Sequence, residues 1–515
     1  MRRSIRLAVP VALAGVLLAA GCSGSSGQQS KSASFPSGQA VNPAGPAPDT
    51  VAGYYAQKLR WSPCHQQFQC ARLLVPFDYS HPAGRRFSLP VIKLPATDPA
   101  KRLGSLVVNP GGPGGSGVQY ALQARSQVSA AVRARFDVVG FDPRGVGGSI
   151  PAVHCLSDRQ LDKYFATSDT PTSQQQLNTL IAQSKLFVQG CQQHSGALLP
   201  YVATPNAARD MDVLRQALGD HKLTYLGKSY GTYLGTWYAQ LFPSHVRALV
   251  LDGAVDPEES GFGLNQVQAQ GFEVALHAFT ANCIQRSDCP LGHGGTVDAA
   301  IGKLQTLLNR AAQHPLQSSI AGQPANGAML LNGVALSLYD KSFWQYLREA
   351  LTAAYQGNGT GMVALADALV ERNQNGHYSN LNAAETAVDC LDRPWPKALS
   401  AWRTTAASAT KTSPQFGAAI MWSSLPCAYW PVPPVKQVKM KAAGAPPILV
   451  VGTTRDPATP FRWARALAGD LSSGVLLGWN GDGHTAYMMG SSCVDSAVDN
   501  YLINQSPPHS GTMCG

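Results

Sequence analysis

Residues 223–231 read Leu-Thr-Tyr-Leu-Gly-Lys-Ser-Tyr-Gly, an apolar run that enters Gly227-x-Ser229-x-Gly231 and continues into the helical pattern of residues 232–241. A serine on so tight a strand-to-helix turn takes a strained backbone conformation and presents its Oγ as a nucleophile, with small neighbours relieving the crowding. The chemistry this spacing predicts is acyl transfer. Gly227-Lys228-Ser229 also invites a phosphate-loop reading, which fails because the required first glycine position holds Lys222.

A serine hydroxyl needs a base, and the base needs an acid that orients it, in the chain order Ser, Asp, His on this type of turn. Residues 447–452 form an apolar run followed by Thr453-Thr-Arg-Asp456-Pro-Ala-Thr-Pro460, which puts Asp456 on a loop at a strand's C-terminal end. After the next run, 474–479, comes Gly481-Asp482-Gly483-His484-Thr485. Of the 12 histidines only His484 and His509 follow that run, and His509 lies in a Pro/Ser-rich tail. Ser229, Asp456 and His484 are therefore the predicted nucleophile, acid and base. Asp482 is a competing acid, too near His484 in sequence to orient it easily. Asn109-Pro-Gly-Gly-Pro-Gly-Gly-Ser-Gly117 follows another apolar run, and its glycines let backbone N–H groups approach a developing oxyanion. The N–H groups of Gly112 and Tyr230 are the expected donors. No Lys-Ser/Thr of a phosphate loop follows residues 109–117, and Gly145-Val-Gly-Gly-Ser149 misses the G-x-G-x-x-G register of a dinucleotide site because Ile150 takes the last glycine position, so it reads as a structural turn near the site.

The elements that must hold these residues alternate. Buried-strand runs at 105–109, 136–141, 223–226, 248–252, 447–452 and 474–479 are separated by helical patterns, which implies a doubly wound, mostly parallel α/β sheet. Two earlier runs, 71–76 and 87–94, are expected to form an antiparallel edge. The stretch between 252 and 447 is too long for a crossover and mostly helical, with helices expected at 297–312, 335–353 and 361–372. It reads as an inserted helical cap. The predicted organisation is a signal segment at 1–21, a tether at 22–50, a first core part at 51–256, the cap at 257–440 and a second core part at 441–515.

Composition agrees with a large exported enzyme. Of 515 residues 14% are charged and 44% hydrophobic, with 50 glycines and 36 prolines, which excludes a coiled coil and a membrane bundle and argues for many loops. The +10 net charge comes from 40 basic residues spread without a cluster, so no nucleic-acid partner is expected. Arg2, Arg3 and Arg6 precede an apolar run ending in Ala-Ala-Gly-Cys22, which resembles a bacterial lipoprotein signal with Cys22 as the lipid-bearing residue. That implies palmitate-type acylation and a protein held on the extracellular face of the cell membrane, or secreted. Residues 23–48, rich in Ser, Gly, Gln and Pro, read as the tether. Of 11 cysteines, setting Cys22 aside leaves an even number for an oxidising compartment. Pairing sequential neighbours gives Cys64–Cys70, Cys155–Cys191, Cys283–Cys289, Cys390–Cys427 and Cys493–Cys514, although connectivity is open at this level. No Cys-x2-Cys spacing suggests zinc, and neither a metal nor a cofactor is expected.

Together these motifs resemble the secreted tripeptidyl aminopeptidases and exported proteases of actinobacteria, in the prolyl-aminopeptidase branch of the α/β hydrolases. The resemblance rests on residues 109–117, Phe141-Asp-Pro-Arg-Gly-Val-Gly147, Gly227-Lys-Ser-Tyr-Gly231, Leu251-Asp-Gly253, Asp456-Pro-Ala-Thr-Pro460 and Gly483-His484. In the cap it adds Ala387-Val-Asp-Cys390-Leu-Asp392 and Cys427-Ala-Tyr-Trp-Pro431, and it extends to a TAP-like C-terminal part. It implies an α/β-hydrolase fold and a serine peptidase that takes peptide or protein substrates and removes short peptides, tripeptides among them, from free N-termini. A protonated α-amine calls for carboxylates, and Glu258, Glu259, Glu273, Glu385, Asp389 and Asp392 are candidates. Glu385 and Asp392 are favoured because they flank Cys390. A carboxylesterase or lipase on the same scaffold is the alternative, and a catalytically inactive surface lipoprotein is disfavoured by the complete residue set. Ser rather than Asp at residue 229 excludes dehalogenase and epoxide hydrolase chemistry.

Overall fold

The computed structural model describes residues 47–515. The signal segment, Cys22 and residues 23–46 of the tether lie outside the described residues. Among the described residues ten strands form one sheet: β1 (Ser62–Cys64), β2 (Phe68–Pro76), β3 (Arg86–Leu94), β4 (Gly104–Asn109), β5 (Phe136–Phe141), β6 (Leu223–Lys228), β7 (Val246–Asp252), β8 (Ile448–Arg455), β9 (Gly474–Asp482) and β10 (Thr512–Cys514). Their spatial order is β1-β2-β3-β5-β4-β6-β7-β8-β9-β10. β1, β2 and β3 form the antiparallel edge, and every pairing from β5 through β10 is parallel. This is the predicted α/β-hydrolase architecture.

β4, β5 and β6 are buried along their whole length, because helices cover both faces of a parallel sheet. Alternate residues feed two cores. Val107, Val139, Leu249 and Val450 face one, and Leu106, Val138, Val250 and Leu449 the other. Each such side chain contributes about 1.5–3 kcal/mol by leaving water. The register aligns the strands' C-terminal ends, with Asn109 beside Gly227, Lys228 beside Asp252 and Arg455 beside Asp482. Loops leaving β4, β6, β8 and β9 therefore emerge together on one rim, beside the point where strand order reverses, as ligand sites do in open α/β sheets.

The chain between β7 and β8 is helical and encloses a core of its own, including Phe272, Leu276, Leu304, Leu330, Leu347 and Phe416. The single helix expected at 335–353 is two, Gly327–Leu338 and Trp344–Tyr355. They are separated by a turn in which Asp340 accepts from the Ser342 N–H at 2.8 Å. The helix expected at 361–372 ends at Leu369. Two helices between β5 and β6, Asp158–Phe165 and Gln174–Ser195, were not anticipated as part of this layer. Leu177 and Leu180 of the second pack with Trp402, Met421, Trp422 and Leu425, so the first core part also contributes to the helical layer.

Five disulfides join Cys64–Cys70, Cys155–Cys191, Cys283–Cys289, Cys390–Cys427 and Cys493–Cys514. The first ties β1 to β2, and the last ties helix Ser492–Asn504 to β10.

Candidate active site

Ser229 sits between β6 and the helix Tyr230–Leu241 with φ 55° and ψ −128°, a conformation that costs a non-glycine residue of order 1–3 kcal/mol. Its N–H donates to the Asp252 carbonyl at 2.9 Å, and its carbonyl accepts from Thr232 Oγ1 at 2.6 Å. The strain is thus held from both sides. The helix N-terminus that follows carries the positive end of the backbone dipole toward the hydroxyl.

The loop after β4 lies against this turn. At Gly111, φ +95°, a Cβ would stand 2.6 Å from the Lys228 carbonyl oxygen and 2.9 Å from the Tyr230 nitrogen, so only glycine permits the approach. Gly111 N–H donates to Asn109 Oδ1 at 2.9 Å, Gly115 N–H donates to the Gly111 carbonyl at 3.0 Å, and Pro110 and Pro113 carry no N–H. Asp142 anchors both this loop and the next turn, accepting from Ser116 Oγ at 2.6 Å, Val118 N–H at 3.1 Å and Gly148 N–H at 2.8 Å. Arg144 beside it is buried on Asp210, donating from Nε at 2.7 Å and Nη2 at 2.5 Å, so this turn is a structural hub.

The loops after β8 and β9 bring Asp456 and His484 together. His484 Nδ1 lies 2.9 and 3.1 Å from the two oxygens of Asp456. The buried carboxylate also accepts from the N–H groups of Ala458 (2.9 Å), Thr459 (2.8 Å) and Thr485 (3.0 Å) and from Thr459 Oγ1 (3.0 Å). These donors replace the water that a buried charge loses. Asp482 is engaged elsewhere, with Arg455 and with Lys341 Nζ at 2.8 Å. Behind the serine, Asp252 accepts from the N–H groups of Ala486 and Tyr487 at 2.8 and 3.0 Å, and Lys228 Nζ donates to the Tyr487 carbonyl at 2.8 Å. This buried pair grips the segment just after His484. Burial pushes the Lys228 ammonium below its usual range and the Asp252 carboxyl above its own.

Helix Leu381–Asp392 packs against the loop after β4. Asn380 docks its start, accepting from Gly147 N–H at 2.8 Å and donating to the Gly145 and Val153 carbonyls at 2.8 and 3.1 Å. Gly114 touches the same helix, since a Cβ there would stand 2.6 Å from the Leu381 carbonyl oxygen and 3.1 Å from the Glu385 nitrogen. Glu385 and Asp389 lie one turn apart and are only partly exposed. Burial pushes both carboxyls well above the ordinary range, and the neighbouring Asp389 charge adds to the shift at Glu385. The Tyr339 ring packs against His484. After burial, the charges of Glu385 and Asp456 raise its hydroxyl further.

Asp392, expected as an amine ligand, is fully buried and spends its carboxylate on Thr204, accepting from the backbone N–H at 2.9 Å and from Oγ1. Thr204 Oγ1 is in turn hydrogen-bonded to the Tyr230 hydroxyl, so Asp392 steadies the residue after Ser229 instead of being free for an amine. Burial pushes its carboxyl up to about 6. Glu273 holds the segment just before helix Gly417–Ser423, accepting from the N–H groups of Gln415 and Phe416 at 2.5 and 3.1 Å, and Glu259 accepts from Trp463 Nε1 at 3.3 Å. Thr204, Tyr339 and Asn380 are the contributors that motif reading overlooked. None carries a spacing signal, and only the folded contacts reveal them.

Residues 413–514 match a family of TAP-like proteins. Over 485 residues the chain is 36% identical to serine protease Hip1 of Mycobacterium tuberculosis, covering 89% of this chain and 91% of that protein. Carboxylesterase B of the same organism is 36% identical over 455 residues, covering 87% and 86%. Tripeptidyl aminopeptidase of Streptomyces coelicolor is 34% identical over 443 residues, covering 84% and 81%. With its mostly parallel sheet and this identity over most of its length, the chain belongs to the α/β-hydrolase family that includes serine protease Hip1 and the streptomycete tripeptidyl aminopeptidases.

Proposed function

We propose that the protein is a serine peptidase that releases short peptides, tripeptides among them, from free N-termini. Ser229 Oγ attacks the peptide carbonyl while His484 takes its proton, and Asp456 holds the imidazole and stabilises its charged form. The N–H groups of Gly112 and Tyr230 receive the oxyanion, each contributing about 10²–10³ in rate. Gly112 is the loop donor because Gly111 already donates to Asn109. His484 returns the proton to the leaving amine, and water then hydrolyses the acyl-enzyme.

The observation that carries the aminopeptidase reading is the Glu385–Asp389 pair, on a helix docked against the loop beside Ser229. Two neighbouring carboxyls held above their usual range by burial are relieved by an arriving cation, and a substrate's α-ammonium supplies one. The relative named carboxylesterase B keeps ester hydrolysis as a second reading. Incubation with free and N-acetylated copies of one peptide, followed by mass spectrometry of the fragments, separates them. Short N-terminal fragments from the free peptide alone support the aminopeptidase, and cleavage indifferent to acetylation overturns it.

We also propose that Cys22 is acylated and tethers the enzyme outside the membrane. The sequence of residues 1–22 supports this. Replacing Cys22 by serine should move the protein from the membrane fraction to the medium.

A further inference from the structure

Tyr339 belongs to the turn between helices Gly327–Leu338 and Trp344–Tyr355, in the layer inserted between β7 and β8. It meets the loop that carries His484 in two ways. Its carbonyl oxygen accepts from the His484 backbone N–H at 2.7 Å, and Asp340 and Gly483 form an antiparallel bridge beside this bond. Its ring stands edge-on to the imidazole, with centroids 5.2 Å apart and planes at 87°. Two residues further on, Lys341 Nζ donates to Asp482 Oδ2 at 2.8 Å, and Asp482 is itself paired with Arg455 at the end of β8. Three consecutive residues of the inserted layer thus bind the end of β9 by backbone, ring and charge.

Asp456 fixes only the Nδ1 side of the imidazole. Its hydrogen bonds restrain that edge, while rotation of the ring about them is limited by packing, and the Tyr339 ring, perpendicular to the imidazole, supplies that contact. Main-chain placement of His484 likewise depends on an acceptor from outside the sheet.

We infer that Tyr339 is a positioning residue for His484, and that the turn 339–341 is a fixed strap on the base rather than part of an opening lid. This rests on the reading of His484 as the base that activates Ser229. Serine activation then requires the inserted layer to be seated, even for a small reagent that carries no ammonium for Glu385 and Asp389.

The test is the rate at which a small alkyl fluorophosphonate phosphonylates Ser229 in the full-length protein, resolved into its maximal rate and its half-saturating concentration, with thermal unfolding in parallel. Tyr339→Leu should lower the maximal rate by at least about tenfold with half-saturation unchanged, the size of loss expected when a reacting group is misplaced. Tyr339→Phe, which keeps ring and carbonyl, should remain within about twofold of the parent. A parental maximal rate in a folded Tyr339→Leu variant overturns the proposal, as does a phenylalanine variant as slow as the leucine one. Should Tyr339→Leu fail to fold, Lys341→Met decides, because Lys341 is 56% exposed and its loss spares the core. That variant should lower the maximal rate by about threefold, and no change overturns the strap. Ser229→Ala separates the two levels, since labelling that persists there contradicts the serine reading itself, whatever Tyr339 does.

Discussion

His484 Nδ1 lies 2.9 and 3.1 Å from the two oxygens of Asp456, across 28 residues of chain that run through a helix and a strand. The pairing follows from the register of β8 and β9, which ends both strands at one rim. Three backbone N–H groups and one hydroxyl also donate to Asp456, which fixes the orientation that the carboxylate offers the imidazole.

Asp456→Asn keeps the shape and removes the charge that favours the Nδ1–H tautomer. The turnover number for a free-N-terminus peptide should fall by about 10⁴, with KM little changed. Steady-state kinetics of the purified variant check this.

Glu385→Gln and Asp389→Asn should each raise KM for peptides with a free amine and leave the small-ester rate unchanged. The pH dependence has a definite sign. A carboxyl raised in the native state binds substrate ammonium only once ionised, so KM should fall as pH rises through that window, until the α-amine itself deprotonates near about 8. Stability runs the other way. The unfolded chain ionises these groups at lower pH than the native one, so native stability declines as pH rises between the ordinary and raised values. Glu385→Gln should therefore gain melting temperature over the parent progressively as pH rises from 4.5 to about 8 and level off beyond it, as scanning calorimetry at several pH values would show.

Much of this site is legible in the amino-acid order, for reasons that differ between residues. Ser229, Asp456 and His484 each follow a short apolar run, and burial on both faces of a parallel sheet makes such runs conspicuous. The roles of Glu385, Asp389 and Asp392 were not separable, because all three lie on one helix and only packing decides which finds a donor. Asp392 meets Thr204, 188 residues away, a pairing with no local signature. The break at residues 339–343 was read through as continuous helix, since apolar residues on both sides keep the helical period. β1 and β10, three residues each, are too short to show alternation.

Lys228 occupies the middle of the serine turn, yet its ammonium points away into the core, 4.0 Å from Asp252. Lys228→Met would strip a fully buried carboxylate of its cation. We expect a loss of about 3–5 kcal/mol in folding stability, read as a lower urea midpoint at an unchanged slope.

Replacing Ser229 bears most directly on the assignment. The decisive quantity is kcat/KM for release of an N-terminal fragment from a free peptide, compared between the parent and Ser229→Ala by quantitative mass spectrometry. An acyl-enzyme on Ser229 predicts a loss of at least about 10⁴ in the folded variant; release at the parental rate would contradict it.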